Sequence, residues 1–362
     1  MLFPAADAIE TAPDPSRPDL SVVVVTHRTR EQVRDCLDSL VNRGGLDGLG
    51  AAEVILIDNA SGDGTAEMAR TEFGGSVRLI ANDENQGFSR GNNQGIEAAT
   101  GRNVLLLNPD TLVPPGELAK CVRWLDAQGP EVAAMSCRVQ SVDGSLQHEC
   151  ARRLITPWSE CCRALLLDRV FPSVDWFNRE RFVGWDKNDA RPVPAVLGAF
   201  MLIRRTAIER LGGLDERFFL MYEDMDWCKR AADAGLRIWY WPGAYITHLG
   251  GGFWKQEPII TYANTYVSAL TYFRKHHPRS VPVVRAVSRV GMELKILLLR
   301  LNLLRKPGDA YTTRHLEMAV AARRTLRTEE PLRYGNWKKA ADASAAADAA
   351  GTTTAAPTTG AG

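Results

Sequence analysis

Four short apolar runs, each followed by an amphipathic stretch, restrict what the first third of this chain can become. Leu20–Val25 contains four consecutive valines. Glu53–Asp58, Val77–Ala81 and Asn103–Asn108 repeat the pattern. Between them, helical periodicity predicts helices from about Arg30 to Asn42, Gly64 to Phe73 and Ser89 to Ala99. Runs that are apolar on both faces belong in a sheet covered on both sides, and crossover helices make its strands parallel. The predicted class is therefore α/β, with a Rossmann-like sheet. Later strands are expected at Val132–Ser136, Val193–Ile203 and Arg237–Trp241, with an irregular stretch over 141–190.

Ligands of such sheets bind beyond the carboxyl ends of the strands. The residues there are Thr26–Arg28, Asp58–Ser61, Asn82–Gln86 and Asn108–Asp110. Asn108-Pro109-Asp110 is rich in turn formers, and a turn alone would explain it. A carboxylate at the mouth of a sheet can also hold Mg²⁺ or Mn²⁺ against a diphosphate. Glu223-Asp224-Met225-Asp226 opens a helix running to about Ala234. Acids there favour the helix dipole, while one of them can equally serve as a general base. His248 stands before a glycine run; it can be structural, or complete a metal site with Asp110. Asn85–Asn93 places glycines at a helix start, where backbone N–H groups can meet an anion.

Composition narrows the function further. A net charge of +1 gives no footprint for nucleic acid. Seven cysteines without a CxxC pair predict free thiols in a reducing compartment. The acidic residues Asp7, Glu10 and Asp14 argue against a signal peptide, and no apolar stretch reaches membrane-spanning length. A cytoplasmic location is expected, with peripheral attachment to the inner face of the cell membrane left open. The first strand runs into Thr26-His27-Arg28 without glycine. That excludes the glycine-rich openings of sugar nucleotidyltransferases and nicotinamide oxidoreductases.

Seven segments, in order, carry a resemblance. They are Ser21–Thr26, Val54–Gly64, Asn85–Asn92, Leu105–Asp110, Gly198–Phe200, Gly212–Asp215 and Tyr222–Asp226. Over about Ser21–Gly252 the chain resembles glycosyltransferase family 2, the inverting enzymes of the GT-A fold, and within it a rhamnosyltransferase-like branch. The resemblance implies a metal-dependent transfer of one sugar from a nucleotide-diphosphate donor to a saccharide hydroxyl, in cell-surface polysaccharide synthesis. The implied donor is dTDP-L-rhamnose, and the implied acceptor is polyprenyl-diphosphate-linked. A UDP-hexose donor, or a non-catalytic nucleotide-sugar-binding protein, stands as the alternative. Thr26, Arg28, Asp58, Asn59, Gly87, Phe88, Asn92 and Asn108 would bind the donor nucleotide. Asp110 and His248 would hold Mg²⁺ or Mn²⁺. Asp224 would be the general base, with Glu223 and Asp226 beside it. Trp158, Trp176 and Trp185 are candidates for the sugar pocket. Asn108 stands where the family's DXD motif has its first acid, and Thr26-His27-Arg28 replaces the usual aromatic and Asn. The QxxRW motif of processive synthases is absent.

The expected organisation is a flexible leader over 1–18, a GT-A domain over 19–255, a C-terminal helical region over 256–339 and a disordered tail over 340–362. Between Arg274 and Lys339, sixteen Lys or Arg stand against five Asp or Glu. Pro282–Arg305 reads as one helix, with Val283, Val287, Val290, Leu294, Leu297, Leu301 and Leu304 on one side. Arg285, Arg289, Lys295 and Arg300 fall on the other. Such a helix can lie on a membrane surface, pack on the catalytic domain or form a homodimer.

Overall fold

Val22, Val23 and Val24 are completely buried in β1 (Leu20–Thr26), the strand from which the architecture grows. The computed structural model describes residues 16–250 and 257–333. Most of the expected leader, all of the expected tail and the glycines after Gly250 lie outside the described residues.

β1 pairs in parallel with β2 (Ala52–Asp58) and with β4 (Asn103–Leu107), and β2 pairs in parallel with β3 (Val77–Ala81). The crossovers are α1 (Arg30–Val41), α2 (Thr65–Phe73) and α3 (Phe88–Ala98). α3 lies very close to β1: a Cβ added at Gly95 would stand 2.2 Å from Val23 Cγ1. That approach sets the height of the Asn85–Asn93 turn above the strand ends.

Beyond β4 the sheet becomes mixed. After β5 (Thr111–Leu112) and α4 (Glu117–Asp126) comes β6 (Val132–Gln140), which runs four residues past its expected end. β7 (Ala151–Arg152), α5 (Pro157–Ala164) and α6 (Leu167–Val170) occupy the irregular stretch. The single strand expected over 193–203 is broken into β9 (Ala195–Val196) and β10 (Phe200–Arg204), preceded by β8 (Arg191–Pro192). β10 inserts antiparallel between β4 and β6. After α7 (Arg205–Leu211) and α8 (Glu223–Asp233) comes β11 (Arg237–His248). The full order is β3-β2-β1-β4-β10-β6-β11-β5, with β8 on β11.

β11 extends seven residues beyond the strand expected at 237–241, because an irregularity absorbs Pro242, Gly243 and Ala244. The buried Glu117 accepts the Tyr245 N–H at 2.9 Å, and pairing then resumes to His248. This extension brings His248 opposite Thr111, beside Asp110.

The C-terminal region is helical, as expected: α9 (Pro258–His276), α10 (Val281–Arg305) and α11 (Ala310–Thr328). α10 turns the face opposite to its leucine stripe toward the protein. Val281, Val284, Gly291, Met292 and Ile296 are buried. Arg285 pairs with Glu329, Arg289 donates to the Leu326 carbonyl, and Lys295 donates to the Tyr262 hydroxyl. The stripe is left exposed, up to 78% at Leu304. The stripe therefore does not pack on the catalytic domain. Among the described residues no helix is long and apolar enough to cross a membrane. All seven cysteines are free thiols.

Candidate active site

A cavity of about 380 Å³ opens at the carboxyl ends of β1, β2 and β4, and is closed on its far side by β7, α5, α8 and α9. The predicted residues Thr26, Asn59, Gly87, Phe88, Asn108, Asp110, Glu223, Asp224 and His248 all line it.

The wall on the β1–β2 side is built from amides and backbone. The Asn59 side chain donates to Asn85 Oδ1 at 3.0 Å and to the Gly87 carbonyl at 2.9 Å. Its oxygen accepts from the Gln86 N–H and from Asn82. One buried asparagine thus ties the end of β2 to the turn that opens α3. Gly87 has φ +91°, and an added Cβ would meet the Phe219 carbonyl oxygen at 2.6 Å. Only glycine permits this contact without displacement. His27 Nδ1 lies 2.8 Å from the Asn59 carbonyl, and burial pushes the imidazole below its usual range. The wall is therefore close to neutral.

Three predicted donor-binding residues stand behind this wall rather than in it. Asp58 accepts the Ser61 N–H, Asn92 donates to the Phe88 carbonyl, and the Arg28 backbone N–H binds Ser61 Oγ. None lines the cavity. Arg28 takes a left-handed conformation, φ +58°, so the chain turns sharply after β1.

At the β4 end, Asp110 Oδ1 lies 3.2 Å from His248 Nε2, and Asn108 Nδ2 lies 3.5 Å from the same nitrogen. Gln147, which the sequence reading did not single out, fixes the imidazole. Its Oε1 is 2.7 Å from His248 Nδ1, and its amide donates to the His248 carbonyl at 2.8 Å. A ring nitrogen held from behind by an amide is oriented for a metal at its other nitrogen. Among the described residues no group of three or more His, Cys, Asp or Glu side chains forms a complete metal cage. A carboxylate oxygen and an imidazole nitrogen fit one side of a Mg²⁺ or Mn²⁺ shell. The remainder of that shell would come from diphosphate oxygens and water.

The opposite wall is charged. Asp224 Oδ2 accepts from the Gly198 N–H at 2.9 Å and from Arg152 Nη2 at 2.8 Å, while Oδ1 accepts from the Met225 N–H at 2.7 Å. Burial opposes the charge of Arg152, but Asp224 and Glu180 hold its guanidinium above its usual range. Glu223, adjacent and buried, is pushed up to about 8 by desolvation and by the Asp224 charge. Its Oε2 has no hydrogen-bond partner. Burial likewise raises Glu180. Two carboxyls, Asp224 and Glu223, therefore stand side by side, one held by three hydrogen bonds and the other buried with an oxygen that has none. The preceding Met221 and Tyr222 both have positive φ, near +70°, a strained turn that aims this pair into the cavity.

Asp226, two residues on, faces elsewhere. It is fully buried, receives Arg230 at 2.9 Å, Lys275 at 2.7 Å and His276 at 2.8 Å, and does not line the cavity. It braces α8 against α9 and is not placed to touch substrate, which corrects the catalytic role expected for it. The three tryptophans are corrected too. Trp185 packs edge-on against Tyr240, Trp158 and Trp176 are exposed, and none lines the cavity. Sequence reasoning missed Arg152, Arg163 and Glu180, which do line it. It also missed Thr261 and Thr265 of α9, so the C-terminal region contributes to the site.

The sequence profile of the family described as Glycosyl transferase family 2 matches residues 21–212. An N-acetylglucosaminyl-diphospho-decaprenol L-rhamnosyltransferase of Mycobacterium tuberculosis is 27% identical over 239 residues, covering 62% of this chain and 75% of the relative. A low-salt glycan biosynthesis hexosyltransferase, Agl10, of Haloferax volcanii is 24% identical over 224 residues. That match covers 61% of this chain and 64% of the relative, just under two thirds of its length. Among solved structures, the mannosyltransferase PcManGT of Pyrobaculum calidifontis, in complex with GDP-Man and Mn2+, aligns at 21% identity. The alignment covers 88% of this chain and 89% of that one, with a TM-score of 0.47.

Proposed function

The chain belongs to glycosyl transferase family 2, and from that premise we propose that it transfers one sugar, with inversion, from a nucleotide-diphosphate donor to a hydroxyl of a lipid-linked saccharide. The observation that carries this reading is that Asp224 and the Asp110–His248 pair open on one cavity at the strand ends.

Asp224 takes the proton of the acceptor hydroxyl as its oxygen attacks the anomeric carbon, and the bond from that carbon to the diphosphate oxygen breaks. A single displacement inverts the centre. Two of the three hydrogen bonds to Asp224 come from the backbone and stay in place. The third, from Arg152, is the one the acceptor hydroxyl displaces. Asp110 and His248 would hold the Mg²⁺ or Mn²⁺ ion, which would supply positive charge for the departing diphosphate. Asn59, Gly87, Phe88 and Asn108 form the neutral wall against which the nucleoside seats. Glu223, protonated at neutral pH, presents a donor to a sugar oxygen.

The name of the mycobacterial relative supports L-rhamnose as the transferred sugar, for which we take dTDP-L-rhamnose as the donor, and a polyprenyl-diphosphate acceptor; the exposed α10 stripe supports attachment to the surface of a membrane. The test is a panel of nucleotide sugars with Mg²⁺ or Mn²⁺, read first by thermal shift and then by product formation on a polyprenyl-diphosphate saccharide. dTDP-L-rhamnose should raise the melting point most and give the extended product. A larger shift with a UDP-hexose reassigns the donor. Binding without transfer, and without donor hydrolysis, returns the chain to a non-catalytic binder.

A further inference from the structure

Trp158 and Trp176 form an aromatic knuckle on the outside of the molecule. The Trp158 indole N–H donates to the Trp176 carbonyl at 2.9 Å, and the two rings lie 5.6 Å apart. Phe171 stacks on Phe177 at 5.0 Å beside them. Despite this internal packing the knuckle presents apolar surface: Trp176 is 55% and Val170 64% exposed. The Trp158 ring edge is satisfied from within, and the Trp176 indole N–H is left to face the surroundings, as suits a ring at a polar–apolar boundary.

The knuckle stands next to the exposed stripe of α10. α5, which carries Trp158, packs on α10, where an added Cβ at Gly291 would meet the Ala164 carbonyl oxygen at 2.2 Å. Leu294, Leu297, Leu301 and Leu304 are exposed on the outer side of the same helix. Exposed apolar side chains gathered on two helices in contact seldom stay bare on a protein in water. The exposed charges around them are predominantly basic. Arg169, Arg179, Arg300, Arg305 and Lys306 are exposed, and Arg179 lies over the Trp176 ring at 4.8 Å. Two neighbouring acids are already engaged, Asp175 with Arg153 and Glu293 with Arg323 and Arg327, while Asp168 beside Arg169 makes no ion pair among the described residues. A second copy docking by two-fold symmetry would set arginine against arginine. An anionic lipid surface meets both the charge and the apolar area, and tryptophan suits the boundary between headgroup and acyl chain.

We propose that the Trp158–Trp176 knuckle and the α10 leucine stripe form one two-part docking surface for an anionic lipid bilayer. The knuckle inserts its rings, the stripe lies along the acyl boundary, and the arginines meet the headgroups. α5 is preceded by Ile155 and contains Arg163, both of which line the cavity, and α9 adds Thr261 and Thr265. The elements that meet the bilayer therefore also line the site. This deepens the lipid-linked acceptor reading and rests on it for its purpose, but not for its test.

The test uses the full chain, no sugar, and vesicles of phosphatidylcholine with or without phosphatidylglycerol, made with brominated acyl chains. The wild type should float only with phosphatidylglycerol, and its tryptophan emission should be quenched. The Trp158→Phe, Trp176→Phe pair keeps aromatic surface, so flotation should persist while most quenching disappears. Leu297→Gln with Leu301→Gln should lower flotation several-fold, with an unchanged melting point showing an intact fold. Absence of wild-type flotation overturns the proposal. So does undiminished quenching in the phenylalanine pair, or a wild-type dimer that ignores vesicles and is split by the leucine changes. Failure to float leaves transfer to a water-soluble acceptor analogue intact. Failure of transfer leaves flotation intact.

Discussion

On one side of the cavity Asn59, Asn85 and Gly87 hold one another through amides and backbone. On the other, Arg152, Arg163, Glu180, Glu223 and Asp224 crowd into a low-dielectric wall. The amide wall holds one imidazole, His27, which burial keeps below its usual range, so the wall is uncharged and constant in shape from neutral pH upward, and its hydrogen bonds are local. The charged wall depends on who holds which proton. Its members come from β7, α5 and the loop holding Glu180 on one hand and from α8, some forty residues further on, on the other. The first wall suits recognition of a neutral nucleoside face. The second suits chemistry that moves a proton.

The largest effect tests the charged wall. Asp224→Asn removes the base but preserves shape and most hydrogen bonds. Turnover should fall on the order of 10³-fold, the usual worth of a positioned general base. Thermal shift by the donor should remain near that of the wild type. Near-normal turnover would move the base elsewhere in the cavity.

Asp226→Asn asks whether two carboxylates on one helical turn really divide their work. Asp226 is held by Arg230, Lys275 and His276, all within 2.9 Å. Weakening a buried ion cluster from one side should cost about 3 kcal/mol in urea unfolding. Because α9 supplies Thr261 and Thr265 to the cavity, donor and acceptor KM should rise more than kcat falls. A loss of kcat with unchanged stability would return Asp226 to the catalytic group.

Gly87→Ala probes the amide wall. The φ of +91° and the 2.6 Å approach to the Phe219 carbonyl both oppose a side chain. A loss of about 2 kcal/mol of stability is expected. Donor affinity should weaken equally at every pH, since no titrating group is touched. A pH-dependent loss measured by donor titration would mean the two walls are coupled.

What could be read from the sequence follows the same division. Asn59, Gly87, Asn108–Asp110 and Glu223–Asp224 sit in short strings, and the alternating pattern put Asn59 and Asn108–Asp110 at strand ends and Gly87 and Glu223–Asp224 at helix starts. Arg152 reaches Asp224 across 72 residues and Gln147 reaches His248 across 101. Both arise in the stretch without periodicity, so no local pattern pointed to them. The final strand looked short because Pro242-Gly243 reads as a break, and only the distant Glu117 repairs it. For α10 the period was legible but the facing was not. Glu329, Leu326 and Tyr262 decide it by capturing the basic side and leaving the leucines outside. The mixed half of the sheet was hidden for a related reason. β10 pairs antiparallel because the chain doubles back after the irregular stretch, and strand direction leaves no mark on an apolar run.

Glu223 gives an effect that depends on pH, and its sign distinguishes the walls most directly. Desolvation and the neighbouring Asp224 charge raise it from the ordinary glutamate value of 4.5 to about 8. In the unfolded chain that carboxyl loses its proton near 4.5, while in the folded chain it keeps it until about 8. Between those values the folded state binds more protons than the unfolded state, so stability falls as pH rises through the window. The contribution is fully present below about 4.5 and gone above about 8. Glu223→Gln keeps the size and the hydrogen-bonding capacity of the neutral acid but cannot ionise. Its melting point should therefore fall less than that of the wild type between pH 5 and pH 8, with the two curves closest at the acid end. On the amide wall, Asn59→Ala should lower the melting point by a similar amount at both ends of that range. Parallel curves for Glu223→Gln and wild type would mean that Glu223 is already ionised at neutral pH. The charged wall would then hold two like charges side by side, and Arg152, not a proton, would be what keeps them together.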